Sequence, residues 1–250
     1  MAAHAQRPGG VDITPPRQRR LLSAVLAGLA VVFSTAGCGA APEVQGTPDR
    51  LASPAGAGMH IDFGVVPEVP SEFATIERGR SSHPFQVTDG RLSHGEPTGS
   101  NAASYLSTDV SPQRVHRIGT TADFGDDASG SIALLVSNDS VPTSESQPAP
   151  DAAVHFVADS NEWTYAVWKA GGSGQTVLAR GSFTKQFDLR NAQFEVELTG
   201  DAAKIYLPDS TSVVVTDERI ARFGGSWATW ELFESDEGMK PASIRDIWVS

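Results

Sequence analysis

Apolar and polar residues alternate with a period of two along most of the chain beyond residue 58, and that period is typical of β-strands. The clearest case lies between Gln193 and Thr199, where Phe194, Val196 and Leu198 alternate with two glutamates. One face of that strand is expected to pack and the other to meet solvent. The other segments with strand patterns are 61–65, 84–88, 103–107, 114–124, 132–136, 154–158, 163–169, 175–180, 204–207, 212–216, 227–234 and 244–249.

Turn signals separate these segments. Asp89-Gly90 follows one strand segment directly and predicts a two-residue hairpin. Only the segment from Asp217 to Phe223 favours a helix, because an aspartate stands at its start and a glycine follows its end. The polar, proline-containing stretch from Ser137 to Asp151 is predicted to be a solvated loop or a lid over a site. About a dozen short strands with a single helix predict a sandwich or a barrel.

The N-terminal residues follow a different pattern. Three arginines within Arg17–Arg20 precede the thirteen uncharged residues Leu21–Phe33, and small residues lead from there to Cys38. This order of segments is that of a secretory signal. A membrane-spanning helix requires about 20 apolar residues, and this run is shorter. It therefore predicts export and not a permanent span.

Ala36-Gly37-Cys38 resembles the lipobox of bacterial lipoproteins, in which the cysteine becomes lipid-modified, although Thr35 stands where the family usually has leucine. The resemblance implies a signal peptide at 1–37, a lipidated Cys38 with a flexible tether over 38–58, and a folded domain over 59–250. It also implies attachment to the outer face of the cell membrane through the lipid. The alternative is ordinary secretion, with Cys38 left as a free thiol.

The net charge limits the partners. The precursor carries a formal charge of −11, and residues 1–37 hold four arginines and one aspartate, so the chain after cleavage carries −14. A protein this acidic does not bind nucleic acid or anionic lipid through charge. With its only cysteine lipidated it forms no disulfide, so its core alone must hold the domain together. The many alanines and glycines are typical of a high-GC, actinobacterial source.

Three segments resemble parts of concanavalin A-like jelly rolls. Phe85-Gln86-Val87-Thr88-Asp89-Gly90-Arg91-Leu92 looks like an early hairpin of that fold, and Asn161-Glu162-Trp163-Thr164-Tyr165 looks like one of its central strands. Ile244-Arg245-Asp246-Ile247-Trp248-Val249 looks like the last strand, which returns beside the first. The resemblance implies an antiparallel β-sandwich that hosts lectins, glycoside hydrolases, lyases and adhesive modules, so it does not select one function.

The sequence carries no recognisable catalytic motif. Laminarinase-type enzymes on that fold have Glu-x-Asp-x-x-Glu, which this chain lacks. In the nearest stretch Glu231 and Glu234 point to opposite faces of a strand, while Glu195 and Glu197 share a face that is interpreted as a solvated surface. No two histidines have the spacing of a metal-binding pair, and there is no Gly-x-Ser-x-Gly elbow. No cofactor or metal is predicted. The alternative is a structural calcium ion bound by the acidic turn Asp123–Asp127.

All five tryptophans follow the polar loop. Trp163, Trp230 and Trp248 are predicted to fill the core. Trp168 and Trp227 have the opposite parity on their strands and are predicted to be exposed, where planar rings can stack on sugars. The alternative is that all five lie in the core.

These observations favour a lipid-anchored envelope protein whose all-β, concanavalin A-like sandwich binds glycan or glycolipid without catalysis. Two alternatives stay open, namely a glycoside hydrolase or lyase on the same fold and a structural lipoprotein that binds a protein partner. Cys38 is the predicted lipidation site, and Trp168 and Trp227 are the predicted ligand-binding residues. The sequence fixes neither the ligand nor the oligomeric state.

Overall fold

The computed structural model describes residues 43–45, 58–78, 85–94, 102–126, 130–141, 150, 152–169, 174–234 and 242–250. Cys38, the signal segment and most of the tether lie outside these ranges. Within them the chain forms sixteen strands and one helix. The elements are β1 (Glu43–Gln45), β2 (Met59–Asp62), β3 (Ala74–Arg78), β4 (Phe85–Thr88), β5 (Arg91–His94), β6 (Ala102–Asp109), β7 (Arg117–Asp123), β8 (Ser131–Ser137), β9 (Ala152–Ala158), β10 (Glu162–Lys169), β11 (Gly174–Ser182), β12 (Ala192–Thr199), β13 (Ala202–Tyr206), β14 (Ser212–Thr216), α1 (Glu218–Phe223), β15 (Trp227–Glu234) and β16 (Ser243–Val249).

The strands divide into two antiparallel sheets, which confirms the predicted sandwich. The nine-stranded sheet has the order β1-β14-β13-β12-β7-β16-β5-β4, with β2 paired to β16 beside that path. The seven-stranded sheet has the order β11-β10-β9-β8-β15-β6-β3. The last strand therefore lies beside the first strand of the domain, as the resemblance implied. The strand β10, by contrast, is next to the edge and not central.

Strand alternation places one side chain in two between the sheets. On β12, Phe194 and Val196 are buried in that core, as the pattern predicted. On β15 the core residue is Trp230, whose Nε1 donates a 2.9 Å hydrogen bond to the carbonyl oxygen of Gly119 in the facing sheet. The hydrophobic effect and this satisfied indole hold the two layers together.

The local predictions at turns hold. Asp89 and Gly90 both have positive φ, at 52° and 72°, between β4 and β5, which fits a primed hairpin turn. The carboxylate of Asp217 accepts a 2.9 Å hydrogen bond from the backbone N–H of Arg219 and so caps α1. No helix in the described ranges is long and apolar enough to cross a membrane.

Four details differ from the sequence-based expectation. The strand β3 was not predicted, since its polar residues mask any alternation. Val65 was expected to continue a strand, but the chain turns after Asp62 and leaves Val65 78% exposed. Trp248 is buried, yet it lies on the side of β16 opposite the core residues Ile247 and Val249. Within the predicted tether, β1 pairs with β14.

Candidate functional site

Side chains of the seven-stranded sheet that point away from the other sheet form a surface that we call the outer face. Most of them are buried, although they lie outside the core between the sheets. A shielded face of this kind, lined largely by small and polar residues, provides a floor on which a ligand can lie. Its members on the five strands between the two edge strands are Ala103, Tyr105, Ser107, Asp109, Ser131, Ala133, Leu135, Ser137, Ala153, His155, Val157, Glu162, Thr164, Ala166, Trp168, Trp227, Thr229, Glu231 and Phe233.

A histidine–carboxylate pair lies in the middle of this face. Nε2 of His155 on β9 is 3.5 Å from Oε2 of Glu231 on β15, and the two side chains are only 12% and 11% exposed. The strand β8 runs between them, with Leu135 opposite His155 and Ala133 opposite Glu231, so the pair is offset by two residues and its backbones are about 12 Å apart. The small side chain of Ala133 leaves the Glu231 side chain room to reach toward His155. Nε2 of His155 is buried and makes no hydrogen bond.

Trp168 lies beside this pair. It pairs with Ala153 across β9, which makes it a diagonal neighbour of His155. It lies outside the core, on the face that its parity predicted, but it is 6% exposed and not the open platform expected from the sequence. Its Nε1 is buried without a hydrogen-bond partner. Since the indole N–H is a donor only, this site lacks an acceptor.

Trp227 lies on the same face, three strands from Trp168 and in the same register row through Ala153 and Ser137. It is half-buried and is paired with Asp109 on β6 and with Ser137 on β8. Hydrogen bonds from the hydroxyls of Ser226 and Ser111 lower the pKa of the Asp109 carboxyl, so this carboxylate stays ionised. The structure therefore brings both predicted ligand-binding residues, Trp168 and Trp227, to one face.

The other end of the outer face is apolar. Val141, which follows β8, is 1% exposed and packs in one cluster with Tyr105 and Ala103, against Ile76 and Phe233. The start of the predicted loop thus folds back over the sheet. Residues 142–149, the centre of the predicted lid, lie outside the described ranges.

The interpretation of Glu195 and Glu197 as a solvated pair is wrong for Glu195. This residue is 7% exposed, and its Oε2 accepts a 2.8 Å hydrogen bond from Nε1 of Trp248. Burial raises the pKa of the Glu195 carboxyl, against the opposing effects of Trp248 and Arg117. Glu197 accepts hydrogen bonds from Arg117 at 3.0 Å and from the hydroxyl of Tyr206 at 2.9 Å. This network on the nine-stranded sheet satisfies its own polar groups.

A second polar cluster lies between the sheets and was not predicted. Nδ1 of His94 and Oγ of Ser104 are 3.0 Å apart, and Nε2 of His94 is 3.6 Å from Oε1 of Glu234. All three residues are at most 7% exposed. Burial raises the pKa of the Glu234 carboxyl to about 7. The members come from β5, β6 and β15, so only the three-dimensional pairing of strands unites them.

The predicted calcium loop is engaged in other contacts. Asp123 is 2.7 Å from Nε of Arg91, and Asp126 is 2.6 Å from a guanidinium nitrogen of Arg190. Asp127 lies outside the described residues. Across the part of the chain that the structure describes, no three His, Cys, Asp or Glu residues are grouped as a metal site would require.

Comparison with known proteins identifies the fold. No family model matches the chain, and no curated protein matches its sequence. The CBM2 module of the evolved Dit of Lactobacillus casei BL23 phage J-1 superposes with a TM-score of 0.53 at 15% identity, over 76% of this chain and 93% of that one. The carbohydrate recognition domain of Emp47p gives 0.52 at 13% identity, over 75% and 92%. A prokaryotic β-1,3-1,4-glucanase (lichenase) from a mouse hindgut metagenome gives 0.51 at 8% identity, over 77% and 98%.

Identities this low establish a shared fold and nothing finer. The two antiparallel sheets, the hairpin of β4 and β5, and the return of β16 beside β2 agree with that fold. The chain adopts the concanavalin A-like jelly-roll sandwich of lectin and glucanase domains.

Proposed function

We propose that this protein is a lipid-anchored envelope protein that binds glycan on its outer face without cleaving it. The anchor is the lipidated Cys38, and the binding surface runs from Trp168 to Trp227. The observation that carries the proposal is the buried, unpartnered Nε1 of Trp168 on a face floored by small residues. Glycan hydroxyls supply the acceptors that this indole lacks, and the pyranose ring stacks on aromatic surface.

The similar structures support a glycan as the ligand class. They include a carbohydrate-binding module and a carbohydrate recognition domain, each so named for its own protein. They also include a glucanase, so the fold by itself leaves hydrolysis open.

The carboxylate geometry favours binding over hydrolysis. Glycosidases place two carboxyl groups about 5 to 10 Å apart across the scissile bond. On β6, β8, β9, β10 and β15 the described carboxylates of the outer face are Glu231, Asp109 and Glu162. Glu162 on β10 is three strands away from Glu231, about 14 Å. Asp109 is four residues along β6 from Tyr105, the residue paired with Glu231. Four residues of strand span about 13 Å. Hydrogen bonds from Ser111 also hold Asp109 at the end of its strand.

Substitution of the two tryptophans tests the binding surface. Trp168→Ala and Trp227→Ala are expected to reduce retention on an array of envelope glycans by about tenfold or more, because the first removes the unpartnered indole N–H and the second removes a half-exposed ring. Trp168→Phe keeps a ring but loses the N–H, so it separates stacking from hydrogen bonding. Trp248→Phe, on the other sheet, is the matched control and should retain binding.

The melting temperature of each variant is measured alongside. Truncation of a core tryptophan lowers the free energy of unfolding by about 3 to 5 kcal/mol. A large drop in melting temperature for both alanine variants would therefore identify Trp168 and Trp227 as packing residues. Wild-type protein that retains no glycan would support the structural lipoprotein instead. Release of reducing sugar by the wild type would establish a hydrolase.

A further inference from the structure

We infer that the glycan taken by the outer face is electrically neutral and is held through its hydroxyl groups by Glu231 and His155. This inference rests on the proposed function and assigns two binding residues beyond the two tryptophans. It also names the ligand class, because the chemistry of the face excludes polysaccharides that carry carboxylate or sulfate groups at the contact.

The first argument is the distribution of charge. On β6, β8, β9, β10 and β15, the described outer face carries the carboxylates Glu231, Asp109 and Glu162 and no lysine or arginine. The described cations in register with this face stand on the two edge strands, Arg180 on β11 opposite Thr164 and Arg78 on β3 opposite Ala103. The whole chain carries a further excess of negative charge, −11 in total. An anionic glycan would be repelled from the centre of the face.

The second argument is the match between donors and acceptors. An ionised Glu231 only accepts hydrogen bonds, while the indole of Trp168 only donates. A sugar hydroxyl does both, so neighbouring hydroxyls satisfy the two groups together. A ligand carboxylate or sulfate only accepts, and would leave Glu231 facing another acceptor.

The third argument is the lack of any internal partner that would satisfy these groups. Nε2 of His155 and Nε1 of Trp168 are both buried without a hydrogen bond. The 3.5 Å distance from Nε2 of His155 to Oε2 of Glu231 is longer than a typical hydrogen bond. Buried polar atoms in folded proteins almost always have partners. Two unpartnered nitrogens that are diagonal neighbours on one face therefore point to a ligand that completes them.

The test compares each of three polysaccharides with a lightly carboxymethylated form of itself, which adds negative charge to the same backbone. A soluble β-glucan, an α-glucan and a mannan, each in native and carboxymethylated form, are compared by affinity electrophoresis and calorimetry with the full-length protein. The native form of the retained polysaccharide is expected to bind at least tenfold more tightly than its carboxymethylated form. Glu231→Gln should weaken binding of the native form by about tenfold or more, the effect of losing a charge-assisted hydrogen bond.

The control is Glu72→Gln, which removes one negative charge from an exposed residue outside both sheets and should leave binding unchanged. His155→Gln is a second variant of the pair, for use if Glu231→Gln folds poorly. It is expected to weaken binding of the same polysaccharide. Thermal melting confirms that each variant is folded.

The outcomes separate the two levels of the proposal. If the wild type binds none of the six polysaccharides or any envelope glycan, the proposed function itself fails. If it binds carboxymethylated forms as well as native ones, glycan binding stands and neutrality is refuted. If folded Glu231→Gln and His155→Gln both bind as the wild type does, the assignment of these residues is refuted.

Discussion

Glu234 is a carboxylate at the end of β15 that lies between the sheets with neither oxygen accepting a hydrogen bond. The same strand carries Glu231 to the opposite face, as strand parity predicted. The two glutamates, three residues apart, thus have different environments: one lines the candidate site and the other is enclosed with His94 and Ser104. An ionised carboxylate in the second environment is unfavourable because desolvation penalises the charge.

This burial predicts a specific dependence of stability on pH. The pKa of Glu234 is raised from 4.5 to about 7 in the folded protein, so the folded state holds a proton that the unfolded state releases above about pH 4.5. The stability associated with that proton is present at acidic pH and is lost as the pH rises through about 7. Glu234→Gln should therefore raise stability at pH 8 by roughly 1 to 3 kcal/mol and change little at pH 4.

Urea denaturation of both proteins between pH 4 and pH 8 measures this difference. Glu72→Gln serves as the control, since substitution of an exposed glutamate should change the free energy of unfolding little at pH 4 or at pH 8. An equal free energy of unfolding for wild type and Glu234→Gln at pH 8 would mean that the carboxylate is stabilised in place, and Nε2 of His94, 3.6 Å from Oε1, would be the group to test next.

At the scale of elements, β7 and β16 approach each other so closely that one position admits only glycine. The indole ring of Trp248 lies over Gly119, where an added Cβ would come within 2.2 Å of the ring. The carbonyl oxygen of Gly119 also accepts the hydrogen bond from Trp230 of the other sheet. One residue thus serves a tryptophan on each side of β7.

Gly119→Ala should accordingly destabilise the protein by about 1 to 3 kcal/mol, the usual range for overpacking. A double-mutant cycle identifies the cause, because Trp248→Leu should be less harmful in the Gly119→Ala protein than in the wild type. The free energies come from urea denaturation of the four proteins. If the losses in free energy of unfolding from Gly119→Ala and Trp248→Leu add up in the double mutant, the indole of Trp248 is not the group that excludes a side chain at position 119.

How much of this fold the sequence predicts depends on the range of the interactions involved. Local rules located the hairpin at Asp89-Gly90, the cap at Asp217 and the opposite faces of Trp227 and Trp230, because each depends on neighbours in sequence. The same parity rule put Trp168 on the outer face, but its 6% exposure depends on what packs around it. The alternation within a strand predicts which of its faces is buried in the core, but it does not predict whether other residues cover the opposite face.

The site itself depended on the order of strands, which alternation does not contain. His155 and Glu231 meet because β8 lies between β9 and β15 and places the small Ala133 opposite Glu231. Considered singly, each looks like an ordinary surface residue. A signal was nevertheless present, since Glu231 shares its face with Trp227, and a carboxylate and an aromatic on one strand face are typical of sugar-binding surfaces.

At the scale of the whole molecule, the segment between the predicted anchor and the domain is short. The strand β1 pairs with the edge strand β14, Glu43 opposite Val214. The five Cα–Cα steps from Cys38 to Glu43 span at most about 18 Å when the chain is fully extended. A lipid on Cys38 would therefore hold the β14 edge of the nine-stranded sheet close to the membrane.

The last prediction concerns that anchor. The net charge of −11 gives the chain no attraction to anionic lipid, so the proposed membrane attachment would depend on acyl chains at Cys38. Expressed from its full sequence in a bacterial host that processes lipoproteins, the wild type should enter the detergent phase on partitioning, and Cys38→Ala should enter the aqueous phase or remain uncleaved. Cys38→Ser is the conservative control and should behave like Cys38→Ala, because the lipid is attached through sulfur. Mass spectrometry of the N-terminal peptide reports the modification directly. Equal partitioning of wild type and Cys38→Ala into the aqueous phase would reject the anchor and leave a secreted glycan-binding protein.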